Sequence, residues 1–171
     1  ANNALDTAFD VALHLGTLIG AIVYLRSDIA RYSKAAVSWM RSSESPSGDS
    51  RIAIFLALTV IPTGLIGAAA LSFTKDLGDR IWLVGSCLIV FGFVLWIADQ
   101  RKATREIQEL TFGHALLLGA VQGLAFQPGV SRSGVTISAF RFLGISRVEA
   151  ARLTFLMSLP VIAGAGLVKA F

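Results

Sequence analysis

TFGHALLLGAVQGLAFQPGVSRSGVTISAFRFL, Thr111 to Leu143, consists of two short apolar pieces on either side of a polar turn rich in Pro, Gly and Ser. Neither piece reaches the roughly 20 apolar residues that cross a hydrocarbon core. Pro128 and Gly129 end the first piece, and the second, Val135 to Leu143, carries Arg141. Paired short segments interrupted by Gly and Pro point to a broken or re-entrant membrane element. Such backbone survives at membrane depth only inside protein or beside a water-filled cavity. The reading therefore requires other helices around residues 111–143.

The flanking sequence supplies them. Apolar runs predict spans at about 9–25, 52–73, 81–98 and 148–171. Trp82 and Trp96 lie near the two ends of the third, where aromatic anchors belong. Pro62, with Gly64 and Gly67 after it, predicts a kink or a close helix contact in the second span. Ser146, with Glu149 three residues on, is a helix N-cap signal for the fourth, which Pro160 interrupts. Between the first two spans, Ile29, Tyr32, Ala36 and Trp39 recur at helical spacing opposite Arg31, Lys34, Ser38 and Arg41. That pattern suits a short helix in the membrane interface, and Ser42 to Ser50 reads as a mobile loop. The expected fold is all-α: one polytopic integral membrane domain with a re-entrant or broken helix pair at 111–143.

Composition agrees. Of the 171 residues, 54% are hydrophobic and 15% charged, against about 25% charged in a soluble domain, and mean hydropathy is +0.69. The net charge of +4 resides in short segments beside apolar runs, as the positive-inside tendency produces, so no nucleic-acid partner is expected. The basic residues place the loops 26–51 and 99–110 in the cytoplasm and 74–80 outside. Cys87, the single cysteine, allows no intrachain disulfide and reads as a small buried hydrophobe. The chain lacks a starting Met and stops directly after an apolar run, so both ends look cut and a longer protein is expected. LHLGTLIGA (13–21) also echoes MSLPVIAGA (157–165). That offset would place a partner for the polar turn just before Ala1.

PGVSRSGVT, Pro128 to Thr136, carries the chemistry. Pro128 and Gly129 free backbone N–H groups, and Ser131, Ser133 and Thr136 offer hydroxyls. Gly134 lets a ligand approach, and a helix N-terminus after the turn favours an anion. Arg132 adds a fixed charge with a donor fork that matches phosphate oxygens. An arginine at the bilayer centre costs about 2.5–3.5 kcal/mol even on a permissive scale. No acidic residue lies between Glu109 and Glu149, so an anionic ligand is the natural counter-charge. A solvated arginine in an extramembrane loop would explain Arg132 but not the Pro-Gly, Ser-x-Ser-Gly and Thr around it.

Other polar residues have plainer readings. Asp10 and His14 could form a relay or metal pair, but an interfacial acid and a hydrogen-bonded core histidine explain them better. Gln122 either contacts the ligand or bonds across helices. His114 is expected at a helix start. Arg141 and Arg147 could hold a second phosphate, though interfacial anchoring explains them more simply.

PGVSRSGVTIS, preceded by GAVQGLAFQ, resembles the second signature of the undecaprenyl pyrophosphate phosphatases, a bacterial family also linked to bacitracin resistance. FDVALHLGTLIGAIVY (9–24) resembles the helix after that family's first signature, and 153–165 the helix after its second. The family's first signature, a Glu-x-x-x-Glu segment with a Ser-Ser-Thr-Gly-His turn, has no counterpart here. The resemblance implies inverted repeats and a multi-pass protein of the bacterial inner membrane. It implies hydrolysis of a polyprenyl diphosphate lipid to the monophosphate plus phosphate, recycling the carrier for cell-wall synthesis. By the same resemblance Arg132 and Ser131 act in catalysis, and Gly129, Ser131, Arg132, Ser133, Gly134 and Thr136 bind phosphate. Gln122 stands beside them as a candidate. No metal ligand is expected in this chain; a divalent cation, magnesium or calcium, would be held by carboxylates upstream. The chain alone is then expected to be inactive or nearly so. A homodimer is compatible with the sequence, which does not fix the assembly.

Three alternatives compete with this reading. Acid-phosphatase-like lipid phosphatases place a histidine six residues after their arginine, where this chain has Ser138. A transporter or channel for an anionic or lipid substrate would also use broken helices, and the upstream sequence discriminates. A purely structural subunit leaves Arg132 without a partner.

Overall fold

The computed structural model describes residues 2–42, 45–73 and 80–170. Among these the regular elements are all helical. They are α1 (Asn2–Tyr24), α2 (Arg26–Met40), α3 (Gly48–Phe73), α4 (Ile81–Asp99), α5 (Phe112–Gly123), α6 (Arg132–Phe142) and α7 (Arg147–Ala170), with 3₁₀ turns at Ile107–Glu109 and Leu124–Phe126. Residues 74–79, Phe171 and the side chains of Asp10 and His14 lie outside what is described, so the readings attached to them carry no structural account.

Two helices, Gly48–Ala70 and Ile81–Asp99, are long and apolar enough to cross a membrane. On α4 the large apolar side chains of Ile81, Trp82, Ile89, Phe93 and Trp96 point outward. In water that face would be an extended apolar patch; against acyl chains it needs no cover. Together with the family reported below, this makes the chain a membrane protein.

Helices α3 and α5 pack in parallel through small residues. Residues 51, 59, 66 and 67 of α3 meet 112, 119, 123 and 126 in turn. A Cβ on Gly119 would strike the Thr59 carbonyl and Pro62, one on Gly123 would strike Ile66, and one on Gly67 the Phe126 ring. The expected close contact thus forms at Pro62 and Gly67, whereas Gly64 faces open space. Pro62 and Pro160 are both carried inside continuous helices. Thr63 donates to the Gly119 carbonyl at 2.7 Å, a cross-helix bond buried in the seam.

The segment 111–143 folds as two short helices. Thr111 caps α5: its hydroxyl accepts from His114 N–H, and its own N–H donates to His114 Nδ1. His114 is therefore at a helix start, as expected. After α6 the chain turns through the left-handed Gly144 (φ +87°). Gly144 N–H bonds the Arg141 carbonyl, and Ile145 N–H bonds the Phe140 carbonyl, the paired closure that satisfies a helix end. The Gly144 carbonyl then accepts Thr104 and Arg105 N–H. The other end of the hairpin is tied nearby, where Arg51 donates to the Leu110 carbonyl. Both ends of the α5–α6 pair thus meet the connector 100–110. Leu118, Phe140, Ile145 and Met157 fill the core between α5, α6 and α7. Ser146 caps α7, accepting from Glu149 N–H at 3.3 Å.

Helix α2 forms as its periodicity predicts, but its inner face is polar. Asp28, 6% exposed, pairs with Arg152 of α7. The segment 42–50 is shorter as a loop than expected, because α3 begins at Gly48 and Ser50 bonds back to Ser47.

Candidate functional site

The turn at the tip of the hairpin is set by Pro128 and Gly129. Val130 N–H bonds the Gln127 carbonyl at 3.1 Å, and Gly129 adopts φ +89°. Pro second and Gly third is the residue order such a turn demands. Gly129 is needed for a second reason. A Cβ there would lie 2.5 Å from the Val84 carbonyl and 3.0 Å from Cys87 Cβ. The turn therefore sits directly on the backbone of α4. Cys87 is half-buried and packs against it.

Helix α6 starts earlier than the apolar run suggested. Ser131 is its N-cap, its hydroxyl accepting from Gly134 N–H at 3.2 Å, and Arg132 is the first helical residue. The Ser-Arg-Ser-Gly stretch is thus the cap and first turn of a helix, and Gly134 lies inside it. The shift follows from capping: serine at 131 can close the helix start, whereas an apolar residue at 135 cannot. Gly134 is buried and a Cβ would crowd Ser131, so its freedom serves the cap.

Ser131 and Ser133 are exposed, with their hydroxyls 3.4 Å apart. Arg132 between them is half-buried, and among the described residues its guanidinium makes no hydrogen bond or ion pair. Thr136 is not brought to this group. It is 0% exposed, and its hydroxyl donates to the Arg132 carbonyl at 2.9 Å. Gln122 is 1% exposed and donates from Nε2 to Thr63 Oγ1 at 3.4 Å, bonding across helices; its Oε1 is left without a partner.

Arg141 and Arg147 lie at the opposite end of α6. Arg141 is 4% exposed, so it is not an interfacial anchor. It donates to the carbonyls of Ile145, Asp99 and Arg101. Arg147 forms a two-pronged bridge with Asp99. Neither is near the turn. Sequence reasoning missed the Asp28–Arg152 pair, whose partners are 124 residues apart and follow no local pattern.

The residues of the turn do not suit a divalent cation. They offer one positive charge and neutral hydroxyls, and the described residues contain no cluster of three acidic, His or Cys groups. They suit an anion: an unpaired guanidinium at a helix N-terminus flanked by two hydroxyls.

The family of bacitracin resistance protein BacA matches this sequence over residues 1–171. The chain belongs to the BacA family. Among its relatives is the undecaprenyl-diphosphatase of Pelobacter propionicus, 40% identical over 163 residues, which cover 94% of this chain and 60% of that protein. The enzyme of the same name from Hahella chejuensis is 39% identical over 162 residues, 95% of this chain and 60% of the relative. That from Campylobacter curvus is 40% identical over 160 residues, covering 93% and 60%. The chain thus spans about 60% of the length of these BacA-family relatives. Their shared name gives the transporter reading no support.

Proposed function

We propose that the protein containing this chain hydrolyses undecaprenyl diphosphate to the monophosphate plus inorganic phosphate, recycling the lipid carrier for cell-wall synthesis. The observation that carries this reading is Arg132: half-buried, unpaired among the described residues, and first in α6 between two exposed serines. Its guanidinium fork holds non-bridging oxygens of the diphosphate, and the Ser131 and Ser133 hydroxyls donate to others. Water attacks the terminal phosphorus, the P–O–P bond breaks, and negative charge grows on the bridging oxygen, where a fixed cation lowers the barrier. Phosphoryl transfer depends chiefly on such positioning and charge neutralisation. Thr136 and Gly134 support the cap and the Arg132 backbone, and Gly129 seats the turn. The base that activates water, and carboxylates for magnesium or calcium, belong to parts of the natural protein outside residues 1–171.

In the bilayer the reading places four spans, α1, α3, α4 and α7, in the bacterial inner membrane. The α5–α6 hairpin is re-entrant, both its ends resting on the connector 100–110. Inverted repeats are supported by the 13–21 and 157–165 echo, carried on α1 and α7, which pack together. Gly129 rests on Val84 and Cys87, about 5–9 Å from the start of α4 at 1.5 Å per residue. The turn therefore opens toward the end at which α4 begins, at Ile81. Arg31, Arg51, Arg101, Lys102, Arg105, Arg147 and Arg152 crowd the other end, which is cytoplasmic by the positive-inside tendency, so the turn faces outside.

The test uses the natural protein purified in detergent with a polyprenyl diphosphate. Arg132→Ala should lower phosphate release by a factor of about 100 or more, the scale seen when one charge-stabilising donor is removed. A chelator should stop the wild-type reaction. Wild-type-like turnover by Arg132→Ala would remove Arg132 from the mechanism. A homodimer would show as a doubled mass in the same preparation.

A further inference from the structure

We propose that Arg101, Lys102 and Arg105 form a binding site for the headgroup of an anionic phospholipid, at the end of the molecule opposite the Ser131–Ser133 turn. All three are exposed, yet they stand on a fixed backbone. Thr104 and Arg105 N–H bond the Gly144 carbonyl, and the Asp99 and Arg101 carbonyls accept from buried Arg141. Main-chain polar groups of the connector are thereby turned inward, leaving its cationic side chains outside.

The acid beside Arg101 is already neutralised: Asp99 is bridged to Arg147. Glu109 accepts the Glu106 N–H across the 3₁₀ turn, which holds its carboxylate against the backbone. Among the described residues Lys102 and Arg105 have no side-chain hydrogen bond or ion pair, and Arg101 has only the Phe142 ring beneath it, 5.9 Å from its centroid, at the outer limit of about 6 Å for a cation–π contact. With Asp99 neutralised by Arg147 and only Glu106 and Glu109 on the same segment, the three cations leave it net positive, and it attracts an anion from solution or from a bilayer surface.

The surroundings favour the lipid source. A shallow hollow beside Arg101 and Lys102 reaches Ser146. Phe142 and Trp96, both about half exposed, flank the connector from α6 and α4. Aromatic side chains at the ends of spanning helices sit at headgroup level, and they would lie against the glycerol and upper acyl chain of a lipid whose phosphate meets the three cations. A free phosphate makes no use of them.

Native mass spectrometry of the natural protein would measure binding of dioleoyl phosphatidylglycerol and of dioleoyl phosphatidylcholine. Phosphatidylglycerol should bind preferentially. Each cation near an anionic surface is worth about a fivefold change in affinity. Lys102→Gln, whose side chain bonds nothing, should therefore weaken phosphatidylglycerol about fivefold, and the Arg101→Gln, Lys102→Gln, Arg105→Gln triple variant roughly a hundredfold. Lys34→Gln with Arg41→Gln, exposed cations on α2 and at its C-terminal cap, should leave it unchanged. Unaltered binding in Lys102→Gln and in the triple variant would overturn the proposal. So would an equal loss in the α2 control, which would mean diffuse charge attraction. Displacement of the lipid by millimolar inorganic phosphate would assign the cations to a free anion and overturn it too.

Discussion

Gly129 is subject to two constraints that are usually separate. Its φ of +89° excludes an L side chain on conformational grounds, and the Val84 carbonyl excludes it on steric grounds. The left-handed backbone alone costs a non-glycine residue about 1–2 kcal/mol, and forcing an atom into a packed contact adds about 1–3 kcal/mol. Gly129→Ala should therefore destabilise by roughly 2–5 kcal/mol and lift the turn from α4, lowering the phosphate release proposed above. Gly48→Ala is the control: φ is +52°, nothing lies within 4 Å, and only the conformational cost applies. Thermal denaturation in detergent together with phosphate release would separate the two. Equal stability losses would mean that the contact with α4 does not matter. The sequence showed that the Pro-Gly pair turns the chain, because that is a local preference. The seat on α4, more than forty residues earlier, has no local signal. The same limit applies to Thr136. Its hydroxyl looks like any other in PGVSRSGVT, and only helix phase, set by the cap at Ser131, turns it inward.

At the scale of the element, α6 is an eleven-residue helix, too short to be stable alone, that presents its first turn to the proposed substrate. Its far end must be held for the near end to stay in register. Arg141 does this, reaching three carbonyls from a nearly fully buried position. Periodicity could not reveal it, since an arginine at the end of an apolar run looks the same whether it anchors at a surface or clamps a loop. Arg147 bridges Asp99, the last residue of α4, from an exposed site, where an ion pair contributes about 0–1 kcal/mol. Arg141→Met should cost about 3 kcal/mol, because it removes charged hydrogen bonds and strands the buried Ile145 carbonyl. Arg147→Ala should cost less than about 1 kcal/mol. Similar losses for both in denaturation experiments would show that the carbonyl clamp does not hold α6.

Across the whole molecule, charge is sorted. At the connector end Asp28, Asp49 and Asp99 are each matched to an arginine on another element, while at the turn Arg132 has no acid beside it among the described residues. The pairing ties together helices that the sequence presents as independent spans, and the Asp28–Arg152 bridge fixes α2 to α7. Its two partners differ in environment: the Asp28 side chain is 9% exposed and that of Arg152 is 42%. Removing the exposed partner should therefore do more damage than removing the buried one. Arg152→Gln leaves a buried carboxylate without compensation, a loss of about 3–5 kcal/mol for a fully buried pair and toward the lower figure here. Asp28→Asn leaves an arginine that can turn to water, at about 1 kcal/mol. In the double variant the uncompensated charge disappears, so its cost should fall below that of Arg152→Gln alone. A double-mutant cycle on thermal stability tests this ordering. If Asp28→Asn proved the worse of the two, the carboxylate would be held by something other than Arg152, and α7 would owe its position to packing against α1, α3 and α6.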